Sequence, residues 1–588
     1  MRKLPRKDAV VIGLGWTGSI MAYELCKAGL DVVAIERGPW RDTATDFPPN
    51  IAPDELRYGI RHDLFVRPAQ ETITFRDKPS ETARPIRRWG SFLPGNGVGG
   101  AGVHWNGQTW RWHPWAFTAR SSSEQRYGAD FLPEGTTLAD WGVTYEELEP
   151  SFDRFEYLCG ISGKAGNLQG RIQPGGNPFE GPRRRDYPTP PMQQTHGPSL
   201  FAKAATELGW HPFPQPSANL SQAYTNPYGC RLAPCTYCGF CERFGCGNFS
   251  KASPQTCVLP VLVRHPGFEA RTDCTVTRIN LTRDGKRATG VTYTDLSGEE
   301  WEQPADLVLL CAYQFFNVRL LLLSGIGTPY DPATGEGTVG RNYCYQMSAG
   351  AQGFFDDQRF NGFAGAGSVG MIVDDFNDDN YDHGPVGFLG GQSMSSIITN
   401  ARPITSHPTP PCTPRWGGPW KRAMHDWSGR VMNLGIQGGI LPYRDCYLDL
   451  DPTYKDRLGN PLLRMTFDFH ANELKQGRFG VDKCVEALRA MGAKTVVPNY
   501  REGPYSVVPY QTTHNTGGTT MGADPRTSVA NKYCQSWDVP NLFLSGAGLF
   551  PLNAGFNPTG PVGALAYWAV DAITERYLAN PGPLVGRP

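Results

Sequence analysis

The chain has 588 residues, which is enough for two or three domains and for a core that needs no disulfide bonds. Lysine and arginine together number 56, and so do aspartate and glutamate, so the formal net charge is zero. This balance argues against nucleic acid or an anionic membrane as the main partner. The 15 cysteines are odd in number and concentrated in one stretch, which does not suit a secreted disulfide framework.

The N-terminus passes from a few basic residues directly into a predicted strand, without an apolar segment and a cleavage site. The most apolar runs, such as 307–312 and 320–323, are far shorter than the ~20 residues that span a bilayer. We therefore expect a chain with no signal peptide and no membrane span of its own. It could still reach a membrane or the periplasm together with a partner.

The first elements predict a nucleotide-binding βαβ unit. The apolar run 8–12 predicts a buried strand, the pattern at 20–28 predicts a helix, and 31–35 predicts a second strand. A GxGxxG sequence lies between the first strand and the helix, and an acidic residue ends the second strand. A glycine-rich turn in an ordinary α/β unit is the alternative, and the pattern does not distinguish FAD from NAD.

Each of these residues has a role in such a unit. Gly13 permits the tight turn, and Gly15 lets the backbone approach a pyrophosphate. Gly18 lets the helix pack closely on the strand, and Glu36 can bind ribose hydroxyls.

Later elements are predicted from local patterns. Thr144 followed by Glu147 predicts a capping box at a helix start. The Gly-, Pro- and Arg-rich segment 160–192 predicts a long surface excursion, in which we expect the basic run 183–185 to be a solvated face. Segment 402–419 predicts another Pro-rich loop.

Toward the C-terminal third, two β-rich runs and one helix are expected. Runs 445–450 and 462–469 predict strands joined by a turn near 459–461. Segment 473–491 has apolar residues at helical spacing and predicts an amphipathic helix packed on a core.

Four cysteines form the spacing CxxCxxCxxxxC at Cys235, Cys238, Cys241 and Cys246. Two-residue gaps let thiolates turn back onto one centre, as in iron–sulfur and zinc sites. The run differs from the bacterial ferredoxin pattern, because Cys246 comes one residue late and Gly247 replaces the proline. A [3Fe–4S] cluster, a [4Fe–4S] cluster, structural zinc and no metal all remain open. Cys230 and Cys257 fit the run less well and are interpreted as buried thiols.

Six further segments, taken in chain order, resemble glucose–methanol–choline (GMC) oxidoreductases. They include a glycine run, a helix entry, a returning strand and helix, a VGRN sequence and two C-terminal signatures, at 95–111, 141–157, 305–325, 339–342, 514–524 and 541–559. The resemblance covers nearly the whole chain. It implies FAD as the cofactor and oxidation of an alcohol as the reaction.

The resemblance also implies an α/β fold, α+β overall, with a Rossmann-like FAD-binding domain of GMC type built from separated pieces. It implies a substrate domain on an antiparallel sheet, and we expect a cysteine-rich iron–sulfur loop within the FAD-binding domain. The predicted parts are FAD-binding pieces at 1–115, 225–340 (containing the cysteine stretch 230–257) and 510–588, a linker and helical segment at 116–224, and the substrate domain at 345–509.

Alcohol oxidation needs a base for the hydroxyl proton, and histidine suits this task because its pKa lies near working pH. By family resemblance His514 is the base, and Asn557 orients the alcohol and supports the developing alkoxide. A loop histidine bonded to backbone is the alternative. Flavin contacts are expected from Gly99, Gly100, His104, Asn106, Gly548 and Asn557. A covalent flavin link through His104, a non-covalent flavin contact and simple packing beside Trp105 all fit this position.

The cysteine run, SKASP at 250–254 and LDLDP at 448–452 resemble most closely the flavoprotein subunits of bacterial gluconate 2-dehydrogenases. Such subunits work with a small Tat-exported subunit and a multihaem cytochrome c. The resemblance implies oxidation of D-gluconate to 2-keto-D-gluconate. It also implies electron transfer through an iron–sulfur cluster to the cytochrome, at the periplasmic face of the inner membrane. Another polyol, keto-sugar acid or glycoside is the alternative substrate.

The sequence leaves two alternative functional classes. A flavin oxidase would use oxygen directly and leave the cysteines structural, but the cysteine run argues against it. A non-catalytic electron-transfer or assembly subunit would not need His514 and Asn557, whose presence argues against that class.

Overall fold

A computed structural model describes residues 2–47, 62–362, 364–396, 409–509 and 511–587. Its largest sheet contains the nucleotide-binding strands. Lys7–Ile12 is buried from Ala9 onward, as expected for a parallel strand covered on both faces. The parallel part of this sheet consists, in spatial order, of Phe268–Arg271, Val32–Ile35, Lys7–Ile12, Glu300–Leu310 and Leu542–Leu544.

The long strand Glu300–Leu310 connects two parts of the sheet. Its second half pairs in parallel with Lys7–Ile12, with Leu307 opposite Ala9. Its first half pairs antiparallel with Ala288–Thr294, and that strand pairs with Thr275–Leu281. Short Arg2–Lys3 also lies beside this first half.

Helices cover the parallel strands. Trp16–Lys27 begins at the glycine turn, and Thr559–Ala572 packs against both Trp16–Lys27 and Tyr145–Cys159. Helix Tyr145–Cys159 begins with the predicted capping box. In it the Glu147 backbone N–H donates to Thr144 Oγ1 at 3.3 Å, and the Thr144 N–H donates to Glu147 Oε2 at 2.9 Å. These bonds satisfy two otherwise unpaired donors at the helix start.

A second sheet of six strands is entirely antiparallel. Helix Ala471–Ala490 covers one of its faces and packs on Met347–Phe354 and Val431–Gly438. The opposite face carries Ser348, Ser395 and Gln437 and turns toward the largest sheet. The spatial strand order is Thr495–Asn499, Met347–Phe354, Val431–Gly438, Gln392–Ser395, Met371–Val373 and Phe213–Pro214.

Smaller elements complete the described part of the chain. A four-stranded sheet has the order Tyr447–Lys455, Pro461–Thr466, Thr74–Arg76 and Arg84–Pro85. Two hairpins pair Asn167–Leu168 with Arg171–Ile172 and Tyr224–Thr225 with Arg231–Leu232. The remaining helices and helical turns are Thr43–Asp46, His62–Leu64, Gly100–Gly102, Pro114–Phe117, Ala119–Tyr127, Ala129–Phe131, His196–Glu207, Pro254–Cys257, Leu259–Leu262, Gln314–Ser324, Gly417–Trp427, Ala547–Leu549 and Ile573–Tyr577.

The predicted fold class is confirmed, with a mixed α/β architecture and a separate antiparallel sheet. The strands expected at 445–450 and 462–469 are Tyr447–Lys455 and Pro461–Thr466, and the helix expected at 473–491 is Ala471–Ala490. Residues 402–408 of the predicted Pro-rich loop lie outside the described residues. Within the described ranges, no helix is long and apolar enough to cross a membrane.

The expectation of a solvated basic face at 183–185 holds for Arg184 and Arg185, which are exposed, and is wrong for Arg183. The Arg183 side chain is fully buried, and its Nη2 donates to Glu156 Oε2 at 2.6 Å. Arg184 and Arg185 pair with Glu149 and Asp153. The acidic side chains of helix Tyr145–Cys159 attract these arginines, so the excursion folds back onto the helix.

Candidate active site and cysteine loop

One cleft of about 490 Å³ lies between the two large sheets. The glycine turn after the first strand forms one end, and the segment around residue 514 forms the other. The cleft therefore joins nucleotide-binding and catalytic candidates in one continuous space, as an extended dinucleotide requires. The predicted site residues in its wall are Gly13, Gly15, Glu36, Gly100, His104, Asn106, His514 and Asn557.

The nucleotide end has the geometry that the glycine spacing predicts. Gly13 has a φ of +90°, and a Cβ there would lie 2.7 Å from the Cys311 carbonyl oxygen. The Glu36 carboxylate accepts backbone N–H bonds from Leu14 at 3.0 Å and Gly38 at 2.9 Å. Glu36 is thereby fixed in the cleft wall, where its carboxylate could bind ribose hydroxyls.

Three predicted glycines lie behind the cleft wall in the described structure. A Cβ on Gly18 would lie 2.0 Å from the Gly13 carbonyl oxygen, so Gly18 serves helix packing. A Cβ on Gly99 would meet the Gln255 amide at 2.1 Å, and one on Gly548 would meet Thr519 Oγ1 at 2.4 Å. These glycines shape the wall by close packing.

At the far end, His514 and Asn557 form a direct pair. Asn557 Nδ2 donates to His514 Nε2 at 3.0 Å. The orientation of the asparagine amide is fixed because the Trp110 indole N–H, which can only donate, is bonded to Asn557 Oδ1 at 3.1 Å. His514 Nε2 is therefore an acceptor whose lone pair faces Asn557.

A third residue, Gln346, fixes the other ring nitrogen. Its Nε2 donates to the carbonyl oxygens of Ala554 at 3.1 Å and Phe556 at 3.0 Å. Its Oε1 must then face His514, where it accepts the bond from Nδ1–H. The imidazole is held as the Nδ1–H tautomer, with Nε2 unprotonated. Burial lowers the pKa of His514 to about 3, so the ring stays neutral.

His104 occupies the middle of the cleft. Its ring is buried and packs edge-on to Phe65 at 4.7 Å between centroids. Its Nε2 has no hydrogen-bond partner within the described ranges. Burial, and next the charge of Lys251, lower the pKa of His104 to about 3. Nearby Asn106 uses Oδ1 to accept the Gln108 N–H at 3.1 Å.

The four cysteines of the run converge in one loop, hereafter the cysteine loop, residues 235–246. Burial raises the pKa of the Cys235 thiol, and the nearby thiols of Cys241, Cys246 and Cys238 raise it further. Several N–H groups point at the sulfurs: Tyr237 N lies 3.4 Å from Cys235 Sγ, Phe240 N lies 3.5 Å from Cys238 Sγ, and Asn219 Nδ2 lies 3.5 Å from Cys241 Sγ. Such bonds stabilise anionic sulfur and tune the potential of a cluster.

The cysteine loop is bonded to the segment that carries His104. Buried Lys251 donates from Nζ to the carbonyl oxygens of Trp105 at 2.5 Å, Cys241 at 2.8 Å and Phe244 at 2.8 Å. The backbone N–H of Arg243 donates to the His104 carbonyl oxygen at 2.7 Å. The cysteine loop and the middle of the cleft are thus one hydrogen-bonded unit.

Comparison with known proteins identifies the family. Residues 194–348 and 442–566 match the two GMC oxidoreductase family models. The chain is 49% identical to a gluconate 2-dehydrogenase flavoprotein of Pantoea cypripedii over 99% of this chain and 96% of that protein. The chain belongs to the GMC oxidoreductase family. It is therefore an FAD-dependent oxidoreductase that acts on CH–OH groups.

More distant relatives agree with this family. The fructose dehydrogenase large subunit of Gluconobacter japonicus is 25% identical over 96% of this chain and 97% of that protein. A crystal structure of pyridoxine 4-oxidase from Mesorbium loti is 16% identical, covers 97% of this chain and 99% of that chain, and has a TM-score of 0.59. The latter comparison shows the shared fold alone.

Sequence reasoning missed Gln346. It precedes strand Met347–Phe354 and lies 168 positions before His514, with no motif around it to signal a catalytic neighbour. Only the folded arrangement of the second sheet brings the two side chains together.

Proposed function

We propose that this GMC oxidoreductase oxidises the C2 hydroxyl of D-gluconate to 2-keto-D-gluconate. The substrate assignment is supported by the 49% identical gluconate 2-dehydrogenase flavoprotein. The observation that carries the chemistry is the pair of His514 and Asn557, with an unprotonated Nε2 at the end of the cleft. FAD would be held along the cleft by the Gly13–Gly15 turn, Glu36 and the segment around His104.

His514 and Asn557 would have different roles, one as the proton acceptor and the other as the hydrogen-bond donor to the substrate oxygen. The substrate hydroxyl displaces the Asn557 contact, donates to His514 Nε2 and accepts from Asn557 Nδ2. Proton transfer to Nε2 leaves a developing alkoxide, which the Asn557 N–H stabilises. Gln346 keeps Nδ1 protonated throughout, so Nε2 is always the atom that receives the proton. Bound FAD supplies the acceptor for the hydride.

For the electrons that leave the flavin, we propose an iron–sulfur cluster on Cys235, Cys238, Cys241 and Cys246. The convergence of the thiols, the N–H groups directed at them and the Lys251 link to the cleft support this role. A hydride delivers two electrons and a haem accepts one, so a one-electron relay is useful between them.

The partners and location are proposed on the same basis. A small Tat-exported subunit and a multihaem cytochrome c would hold the chain at the periplasmic face of the inner membrane. The relatives described as a flavoprotein and a large subunit support a multisubunit enzyme. We further propose that His104 Nε2, which lacks a hydrogen-bond partner in the described structure, would contact bound flavin, and flavin kept in the pellet of acid-precipitated protein would show that this contact is covalent.

The test is anaerobic flavin reduction, followed by absorbance in a stopped-flow instrument. D-gluconate should bleach the wild-type flavin. His514→Ala should slow bleaching by about two to four orders of magnitude, as expected for loss of one acid–base group. Exposed His196→Ala is the matched control and should behave as wild type.

Three results would contradict the proposal. Less than tenfold slowing in His514→Ala would remove His514 from the role of base. Bleaching by other sugars but not by gluconate would refute the substrate. Rapid reoxidation of the reduced flavin by oxygen would favour an oxidase.

A further inference from the structure

A sugar acid needs a cation for its carboxylate, and each of the arginines in the described cleft wall already has a carboxylate beside it. Arg37 pairs with Glu71, and Arg319 pairs with Glu71 at 3.1 Å and with Asp456 at 2.6 Å. Both line the nucleotide end. Within the cysteine loop, Arg243 Nε lies 3.4 Å from Glu242 Oε1.

Arg501 is different. It is half-buried, and its Nη2 donates to the Ser348 carbonyl oxygen at 3.0 Å. Its Nε is buried without a hydrogen-bond partner among the residues that the structure describes. Burial lowers the pKa of Arg501, and the neighbouring hydroxyls of Tyr345 and Tyr505 oppose that effect without an aspartate or glutamate taking part. A guanidinium in this position is stabilised when an anion arrives.

Strand register directs Arg501 to the cleft face of the second sheet. Gly350 pairs with Asn499, and continuing this antiparallel register places Arg501 opposite Ser348. Ser348 also pairs with Gln437 across the other neighbouring strand. Directly opposed residues share a face of the sheet. Ser348 and Gln437 line the cleft, and Arg501, which follows the edge strand Thr495–Asn499, lies on the same face of the sheet just beyond the lining residues.

One extended segment links Arg501 to the catalytic candidates. Gln346, which bonds to His514, and Ser348, whose carbonyl oxygen accepts from Arg501, are alternate positions of this segment, about 7 Å apart along it. Tyr345 of the same segment bonds through its hydroxyl to the Thr512 carbonyl oxygen at 2.6 Å, two residues before His514. Segment 345–348 therefore contacts both the His514 region and Arg501.

We infer that Arg501 binds the carboxylate of the substrate and that Ser348, Ser395 and Gln437 form the polar floor for its hydroxyls. This inference rests on the proposed function and names the residue that selects a sugar acid over a neutral sugar. Arginine suits the role because its planar fork matches a carboxylate in two parallel hydrogen bonds.

The experiment compares D-gluconate with D-glucitol, which carries CH₂OH in place of the carboxylate. Anaerobic flavin reduction gives the limiting rate and the apparent substrate constant for wild type, Arg501→Gln, Arg501→Lys and the exposed control Arg489→Gln. Arg501→Gln should raise the gluconate constant by about 10- to 150-fold, the effect of losing a hydrogen-bonded charge. Glucitol should change less than threefold, Arg501→Lys should recover part of the loss, and Arg489→Gln should match wild type.

Equal losses for gluconate and glucitol, or an unchanged gluconate constant, would overturn the inference. Flavin retention verifies that each variant is folded, and Arg501→Lys serves if the glutamine variant fails to fold. Should wild type oxidise neutral sugars but not gluconate, the proposed function fails separately. Arg501 is then judged by competition: gluconate must inhibit wild type and not Arg501→Gln, and absence of inhibition in wild type overturns the assignment.

Discussion

At the scale of single residues, the site depends on two side-chain amides whose orientation is fixed by hydrogen bonds. Trp110 fixes the Asn557 amide, and two backbone carbonyls fix the Gln346 amide. Together they assign the proton of His514 to Nδ1 and the lone pair to Nε2. The burial that lowers the pKa of His514 to about 3 keeps the base unprotonated. Protonation of His514 should therefore add no acid limb to the flavin reduction rate between about pH 5 and pH 9, which a stopped-flow pH series checks.

Gln346 acts as a positioning residue, because it contacts His514 and not the cleft. In Gln346→Leu, the Nδ1–H loses its acceptor and the ring is free to adopt the other tautomer. We expect flavin reduction to slow about tenfold, the value of one hydrogen bond of about 1.4 kcal/mol, with less than threefold change in the substrate constant.

The matched control is Gln352→Leu in strand Met347–Phe354, which directly follows Gln346. The Gln352 amide bonds to Asn433, away from the cleft. Equal rates in the two variants, or full wild-type speed in Gln346→Leu, would show that the tautomer is held by other contacts.

At the scale of elements, the segment after helix Tyr145–Cys159 is held by buried charge. Arg183 lies between Glu156 and Glu180 and stacks 3.7 Å from the Tyr187 ring centroid. Arg183→Met leaves buried carboxylates without their cation. Breaking such a pair costs about 3–5 kcal/mol, so the free energy of unfolding in urea should fall by about this amount.

Arg185→Met is the control, because Arg185 pairs with Asp153 but about half of its side chain is exposed. A half-exposed pair contributes about 0–1 kcal/mol. If Arg183→Met loses no more stability than Arg185→Met, the buried network does not hold the segment in place.

The features that the sequence predicts correctly are those fixed by contacts between residues close together in the chain. The GxGxxG turn, the strand before it and the capping box at Thr144 are set by neighbouring residues, and they were predicted from the sequence. The burial of Arg183 was not, because its partner Glu156 lies 27 positions away and Arg111 joins the same carboxylate from a third segment. Gln346 and Arg501 are likewise set by sheet pairing between distant strands.

At the scale of the whole molecule, the candidate active site and the cysteine loop occupy adjoining parts of one structure. The cleft lies between the FAD-binding sheet and the antiparallel sheet, with His514 at one end. The cysteine loop is bonded to the cleft through Lys251 and through the Arg243–His104 backbone contact. In the proposed function, flavin reduction by substrate would need His514, and onward electron transfer would need the cysteines.

The measurement that tests this account most directly is made on Cys238→Ser, with flanking Cys230→Ser as the control. Iron content, low-temperature EPR, gluconate-driven flavin bleaching and cytochrome c reduction are determined on the same preparations. We predict that Cys238→Ser loses iron, the EPR signal and cytochrome reduction together while flavin bleaching by gluconate survives, and that Cys230→Ser retains all four. Zinc without iron in the wild-type chain, or normal cytochrome reduction by Cys238→Ser, would contradict the account.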